Sequence, residues 1–182
     1  WSYFIMKYKI LIFIITYKAS YRVKDLLKKI PFGYLKKLKF EIYISDDHSN
    51  DDTVDFIKDL KRKYKNKLNF TINNRNVGYG GNIKRCINYA YKRGFDYAIM
   101  VHGDNQYNPK YIKDMLTISF KNPNIAAVVG SRMAKKLNAL KGNMPLYKFI
   151  GNIVLTKFFN IFYSSNFTDC HTGYWAYNLN KI

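Results

Sequence analysis

Acidic side chains are scarce in this sequence: 12 Asp and Glu stand against 31 Lys and Arg, a formal charge of +19 over 182 residues. Such an imbalance directs attention to a polyanionic partner, whether nucleic acid, anionic lipid or a phosphorylated substrate. Lys, Asn, Ile and Tyr are abundant along the whole chain, however, so composition alone does not choose among them. Cysteine is nearly absent. Cys86 and Cys170 stand far apart, with no CxxC and no Cys/His spacing, which excludes a zinc site and a disulfide framework and suits a reducing compartment. Long apolar runs are missing too. Ile10–Ile15 is far too short to span a bilayer or to serve as a signal core, so a cytoplasmic location is expected. Internal repeats and low-complexity segments are absent. No RRM, KH or helix-turn-helix signature is present, and a basic, aromatic-rich nucleic-acid-binding domain is therefore a distant alternative.

Apolar residues nonetheless make up 48% of the chain, enough for a real core. Short apolar runs alternate with helical periodicity. Strands are predicted at Lys9–Thr16, Phe40–Ser45, Leu68–Ile72, Tyr97–Val101 and Ile125–Gly130. Helices are predicted over Val23–Ile30, over Thr53–Tyr64, from Gly78 with Ile83, Cys86, Ile87 and Ala90 inward, and from Pro109 with Ile112, Met115 and Leu116 inward. This alternation specifies an α/β fold with a mostly parallel sheet covered on both faces. In such sheets ligands bind beyond the carboxyl ends of the strands. The polar clusters fall there: Asp46–Asn50, Asn74–Gly81 and His102–Gln106. Farther on, Pro145–Tyr163 is a long helical stretch. Its wide apolar face includes Ile150, Val154, Phe158 and Ile161, with a narrow polar stripe of Lys148, Asn152, Thr156 and Asn160. That pattern suits either a membrane surface or a packed interface, and the stripe argues against spanning.

Each cluster has its own chemistry. Asp46 and Asp47 precede a helix, so capping, which accounts for Asp51 and Asp52, explains them less well; carboxylates there can accept from a nucleobase or a ribose hydroxyl. The glycines of Asn74–Asn82 let backbone N–H groups approach an anion, with Arg75 adding charge. This is neither a Walker A loop nor a GxGxxG fingerprint. His102, Asp104 and Gln106 alternate after an apolar strand, and on an extended backbone they would share one side and could hold a divalent cation bridging a diphosphate.

Taken in order, these segments resemble the family 2 glycosyltransferases, in particular the dolichyl- and polyprenyl-phosphate sugar transferases. "EIYISDDHSNDDT", "NNRNVGYGGNIKRCINYA", "HGDNQYNP", "VVGSRM", "GNMPLYKFIGNIVLT" and "DCHTGYWAY" each match a family segment, over roughly Lys9 to Tyr177. The resemblance implies the GT-A fold, a Rossmann-like α/β/α sandwich. It implies a nucleotide-sugar core over 7–132, and an acceptor-side, membrane-interface segment over 133–182 of a chain that continues further. Thr16, Tyr17, Asp46, Asp47, Arg75, Gly80 and Asp104 would bind the nucleotide-diphosphate sugar. His102, Asp104 and Gln106 would hold Mg2+ or Mn2+, and Arg132 and His171 would meet acceptor phosphate.

Departures from the family pattern fall at His102, which replaces a carboxylate, at Lys18-Ala19, which lacks the usual acid, and at Trp175, where arginine is usual. Catalytic roles go to Asp104 and to Asp169, the one acid in the acceptor half available as a base, since Asp114 lies within a helix. A phosphate acceptor is already ionised and needs no base. The shortage of acids therefore favours inverting transfer to a lipid phosphate at the inner face of an anionic membrane over transfer to a glycan hydroxyl. A nucleotidyltransferase is disfavoured, because Lys18–Val23 contains no glycine.

Overall fold

The computed structural model describes residues 7–134 and 145–182. They form two compact units. The first comprises residues 7–128 with Trp175–Ile182, and the second comprises the described residues of Val129–Tyr174. The segment 133–182 is thus divided, its last residues belonging to the first unit. Lys135, Lys136 and Lys141, read above as part of a polar link, lie outside the described residues.

The sheet contains β1 (Lys9–Thr16), β2 (Lys39–Asp46), β3 (Leu68–Ile72), β4 (Tyr97–His102), β5 (Ala127–Val129) and β6 (Trp175–Asn178), in the order β3-β2-β1-β4-β6-β5. β1 pairs parallel with β2 and β4, and β2 pairs parallel with β3. β1 is central, and Ile10 through Ile14 are wholly buried, which is why it reads as an unbroken apolar run. The sixth strand was not expected from the sequence. It runs antiparallel to β4, with Ala98 opposite Tyr177 and Ile99 opposite Ala176.

Six α-helices are described: α1 (Arg22–Lys28), α2 (Phe32–Leu35), α3 (Thr53–Tyr64), α4 (Gly78–Lys92), α5 (Ile112–Lys121) and α6 (Leu146–Phe162). α4 lies over β1 and β2 and buries Cys86 and Ala90 against Leu11, Phe13 and Met100. Burial raises the Cys86 thiol to about 12, as expected of an inert core cysteine. The register sets Thr16 opposite Asp46 and Ile15 opposite His102, so the carboxyl ends of β1, β2 and β4 finish at one edge. The polar clusters gather along that edge.

Candidate active site

Backbone hydrogen bonds continue the sheet past its formal end and fix the loops. Asp47 N donates to Thr16 O at 2.8 Å, Asn73 N to Asp46 O at 2.9 Å and Gly103 N to Ile15 O at 2.9 Å. The last contact demands glycine: a Cβ at position 103 would stand 2.6 Å from Thr16 Cγ2 and 3.0 Å from Ile15 O. Between these loops lies a cleft of about 260 Å³ lined by Ile15, Thr16, Tyr17, Asp47, Asn76, Gly78, Tyr79, Asn82, His102, Gly103 and Asp104.

The two adjacent aspartates part company here. Asp46 is wholly buried and is not among the cleft-lining residues. It accepts hydrogen bonds from Thr16 Oγ1 (2.9 Å), Ser49 N (2.8 Å) and Ser49 Oγ (2.7 Å), so it ties the β1 and β2 loops together. Asp47 lines the cleft. Its Oδ1 accepts from Asn73 Nδ2 and Val77 N, both at 2.9 Å. Val77 immediately precedes α4, so Asp47 also anchors the entry to that helix. Gly78 takes φ +73° there, a left-handed conformation that suits glycine, and its N–H donates to Asn76 Oδ1.

Arg75 and Gly80, expected at the diphosphate, are exposed and do not line the cleft. Gly78, Tyr79 and Asn82 line it instead. Asn82 was missed in the sequence, although it stands four residues before Cys86 on the same buried stripe. It is buried, accepts from Ser45 Oγ and donates to Ser45 O. Asn73 joins this network and accepts from Arg85 Nη1 at 2.9 Å.

The alternation expected for His102, Asp104 and Gln106 is not formed. β4 ends at His102, the chain turns, and Asn105 adopts φ +66°. His102 and Asp104 reach the cleft, whereas Gln106 does not line it; its backbone N–H donates to Asp104 Oδ1 at 3.0 Å. His102 is flanked by Tyr79 and Tyr107, with ring centroids 5.3 and 5.2 Å away, and its Nε2 lies 3.2 Å from the Tyr79 hydroxyl. Burial, and then the influence of Tyr107 and Asp104, hold the Tyr79 phenol above its ordinary value, so it is a neutral hydroxyl. Among the described residues, no three His, Cys, Asp or Glu side chains converge as a ready-made metal cage.

The family model for glycosyl transferase family 2 matches residues 12–182. The chain belongs to glycosyl transferase family 2. It is 28% identical to an uncharacterised protein of Methanocaldococcus jannaschii over 73% of this chain and 56% of that protein. It is 33% identical to the low-salt glycan biosynthesis hexosyltransferase Agl6 of Haloferax volcanii over 47% of this chain and 21% of that protein. The chain thus spans little more than half, and about a fifth, of these two relatives. Glucosyl-3-phosphoglycerate synthase from Mycobacterium tuberculosis, solved with Mn2+, UDP and phosphoglyceric acid, superimposes with a TM-score of 0.60 at 13% identity. That match covers 98% of this chain and 58% of that one, and it establishes the GT-A fold.

Within the second unit, the family 2 chain brings Arg132, Asp169 and His171 together. Asp169 is 1% exposed and accepts from Arg132 Nε (3.0 Å), Arg132 N (3.3 Å), Asn152 Nδ2 (2.9 Å) and His171 N (3.3 Å). Burial alone would raise its carboxyl. The hydrogen bonds from Arg132 and Asn152 and the charge of Arg132 outweigh burial and hold the carboxyl below the ordinary carboxylate range. A carboxylate so depressed and so fully engaged is a poor proton acceptor, and the geometry gives Asp169 the work of orienting Arg132. Arg132 also donates to His171 O at 3.3 Å. The exposed His171 side chain points its Nδ1 at Cys170 Sγ, 2.9 Å away.

Proposed function

We propose that this chain carries the donor-binding and part of the acceptor-binding machinery of a metal-dependent, inverting glycosyltransferase. It uses a nucleotide-diphosphate sugar, and the favoured acceptor is a polyprenyl phosphate at the cytoplasmic face of an anionic membrane. The observation that carries the donor half is the charge of the cleft. Its lining includes Asp47 and Asp104 and neither lysine nor arginine, in a protein of charge +19. A diphosphate entering there meets two carboxylates, so it needs an accompanying cation. Asp104, exposed with Oδ2 uncommitted, suits a hard divalent ion such as Mg2+ or Mn2+. When bound, that ion neutralises the diphosphate and stabilises it as the leaving group. His102, held by Tyr79, contributes at most one nitrogen beside it.

The remaining steps fall to the chain's own groups. Asp47 Oδ2 accepts from base or ribose, and Tyr17, 52% exposed, lines the same cleft. Arg132, fixed by Asp169, offers charge to an acceptor phosphate. A phosphate nucleophile needs no general base, which fits a second unit whose one carboxylate is locked in an ion pair. A second reading, transfer to a glycan hydroxyl, is favoured by the relative named as a glycan biosynthesis hexosyltransferase.

Titration calorimetry with UDP and GDP in Mn2+ tests the donor half. Asp104→Asn should abolish metal-dependent binding, and unchanged affinity would remove Asp104 from the metal site. Product analysis with polyprenyl phosphate and with hydroxyl-bearing glycans then separates the two acceptors.

A further inference from the structure

Asp47 lines the cleft but is only 4% exposed, and no lysine or arginine pairs with it among the described residues. A buried charge is costly unless hydrogen bonds and opposite charge compensate it. The hydrogen bonds come from Asn73 Nδ2 and Val77 N, both on Oδ1. The opposite charge stands one residue further back. Arg85 Nη1 donates to Asn73 Oδ1 at 2.9 Å, and Asn73 Nδ2 donates to Asp47 Oδ1 at 2.9 Å, so guanidinium, amide and carboxylate form a chain.

That chain has one allowed direction. A guanidinium only donates and an ionised carboxylate only accepts, so the Asn73 amide must turn its oxygen to Arg85 and its nitrogen to Asp47. Asn82 Oδ1, 3.4 Å from Asn73 Nδ2, favours the same orientation. The backbone of Asn73 is fixed as well: its N–H donates to Asp46 O at 2.9 Å, and its carbonyl oxygen lies 3.1 Å from His48 Nδ1. Asn73 is 1% exposed, and an amide held between a cation and an anion in such surroundings is polarised, so its N–H donates more strongly. Asn82 and Arg85 stand three residues apart on α4, which therefore supplies both a cleft-lining amide and the guanidinium behind Asn73. Arg85 is exposed and forms no ion pair among the described residues; the bond to Asn73 is the one hydrogen bond its guanidinium makes there. Neither Asn73 nor Arg85 lines the cleft, so whatever they do for a ligand they do through Asp47.

We infer that Arg85 is a positioning residue of the donor site, acting through the Asn73 amide to hold the Asp47 carboxylate, ionised and oriented, for the nucleoside. This role rests on the reading of Asp47 as a nucleotide contact. It explains why a buried amide after β3 faces an exposed arginine of α4: the arginine's charge reaches the cleft without a cation standing in it.

Calorimetry with UDP and with GDP, each in Mn2+, tests the role as a double-mutant cycle. Arg85→Met keeps the aliphatic stem and removes the charge, and because Arg85 is exposed the variant should fold. It should weaken both nucleotides about fivefold, and Arg85→Lys, which retains a charged donor, should stay within about twofold of the parent. Asp47→Asn should weaken both about tenfold. In the Asp47→Asn background, Arg85→Met should cost less than about a further twofold, because the group it acts on is already altered. An arginine that only supports the helix would give independent losses that multiply to about fiftyfold. That outcome overturns the role and leaves the donor reading in place, as does unchanged affinity in Arg85→Met. If Asp47→Asn alone leaves affinity unchanged, Asp47 is not a nucleotide contact and the positioning role falls with it. If the parent protein binds neither nucleotide, the donor reading and the role fall together.

Discussion

Asp46 and Asp47 are neighbours with the same side chain, and their environments assign them opposite work. Asp46 satisfies three donors inside the protein, so Asp46→Ala strands Thr16 and Ser49. Denaturant unfolding should show a loss of about 2 kcal/mol. Asp47→Asn retains the Oδ1 acceptor and removes the charge at the cleft. It should leave stability nearly unchanged and weaken nucleoside diphosphate binding about tenfold; loss of stability in place of affinity would reverse the assignment. The doublet was legible in the sequence as a polar pair at the end of a strand, but the division between them was not, because it depends on which carboxylate finds internal donors. Asp169 was legible as the lone acid of its segment. Its use as a base was inferred by elimination, and the packing of Arg132 against it was invisible. The folded-state pKa of Asp169 is depressed, so its ion pair stabilises the fold above the carboxylate's unfolded pKa and is lost as pH falls through the folded value. Asp169→Asn should therefore cost about 2 kcal/mol near neutrality, discounted because Arg132 keeps some exposure. Urea unfolding across a pH series should show this cost shrink in acid, and a gap constant with pH would contradict the linkage.

Among the elements, α6 departs most from ordinary patterning. Past Lys148, which is exposed, its polar stripe faces inward: Asn152 and Thr156 are buried, Asn152 bonds Asp169, Thr156 contacts Cys170, and Asn160 Nδ2 donates to Phe167 O. Its apolar side chains face outward, with Ile150 53%, Leu155 53%, Phe158 56%, Ile161 67% and Phe162 78% exposed. The sequence displays both stripes, yet periodicity cannot say which one a helix buries; here the choice is made by the hydrogen-bonding needs of Asp169 and its neighbours. Described residues contain no helix long and apolar enough to cross a membrane. An outward apolar face flanked by exposed Lys148 and Lys157 fits the lipid boundary of an anionic bilayer. Because Val154 and Phe158 are already exposed, Val154→Asp and Phe158→Asp should change stability by only about 0.5 kcal/mol. Each should nevertheless reduce flotation with anionic liposomes severalfold. Unfolding of these variants would mean that the face is covered, and the membrane assignment would fail.

At the scale of the whole molecule, the parallel sheet and the edge along which the polar clusters gather were legible because buried parallel strands are written as continuous apolar runs. β6 was not: four residues long, with Trp and Tyr alternating with small or polar neighbours, it is specified by pairing to β4 and not by its own composition. The same contrast between local and global holds for charge. The net +19 belongs to the surface, whereas the cleft lining carries carboxylates without a lysine or arginine. A divalent cation bound with a nucleoside diphosphate presents little net charge, and its contacts in the cleft are short and partly shielded from salt. Attraction of surface lysines to a lipid headgroup layer acts across water and is screened within about 8 Å at physiological ionic strength. The two activities should therefore separate in salt. Between low and moderately high ionic strength, Mn2+-dependent UDP or GDP affinity should change by less than about threefold. Binding to anionic vesicles should fall by at least about tenfold over the same range. Calorimetry and vesicle sedimentation on one preparation make the comparison. Parallel loss of both would show that surface charge, and not the carboxylate-bound cation, holds the nucleotide.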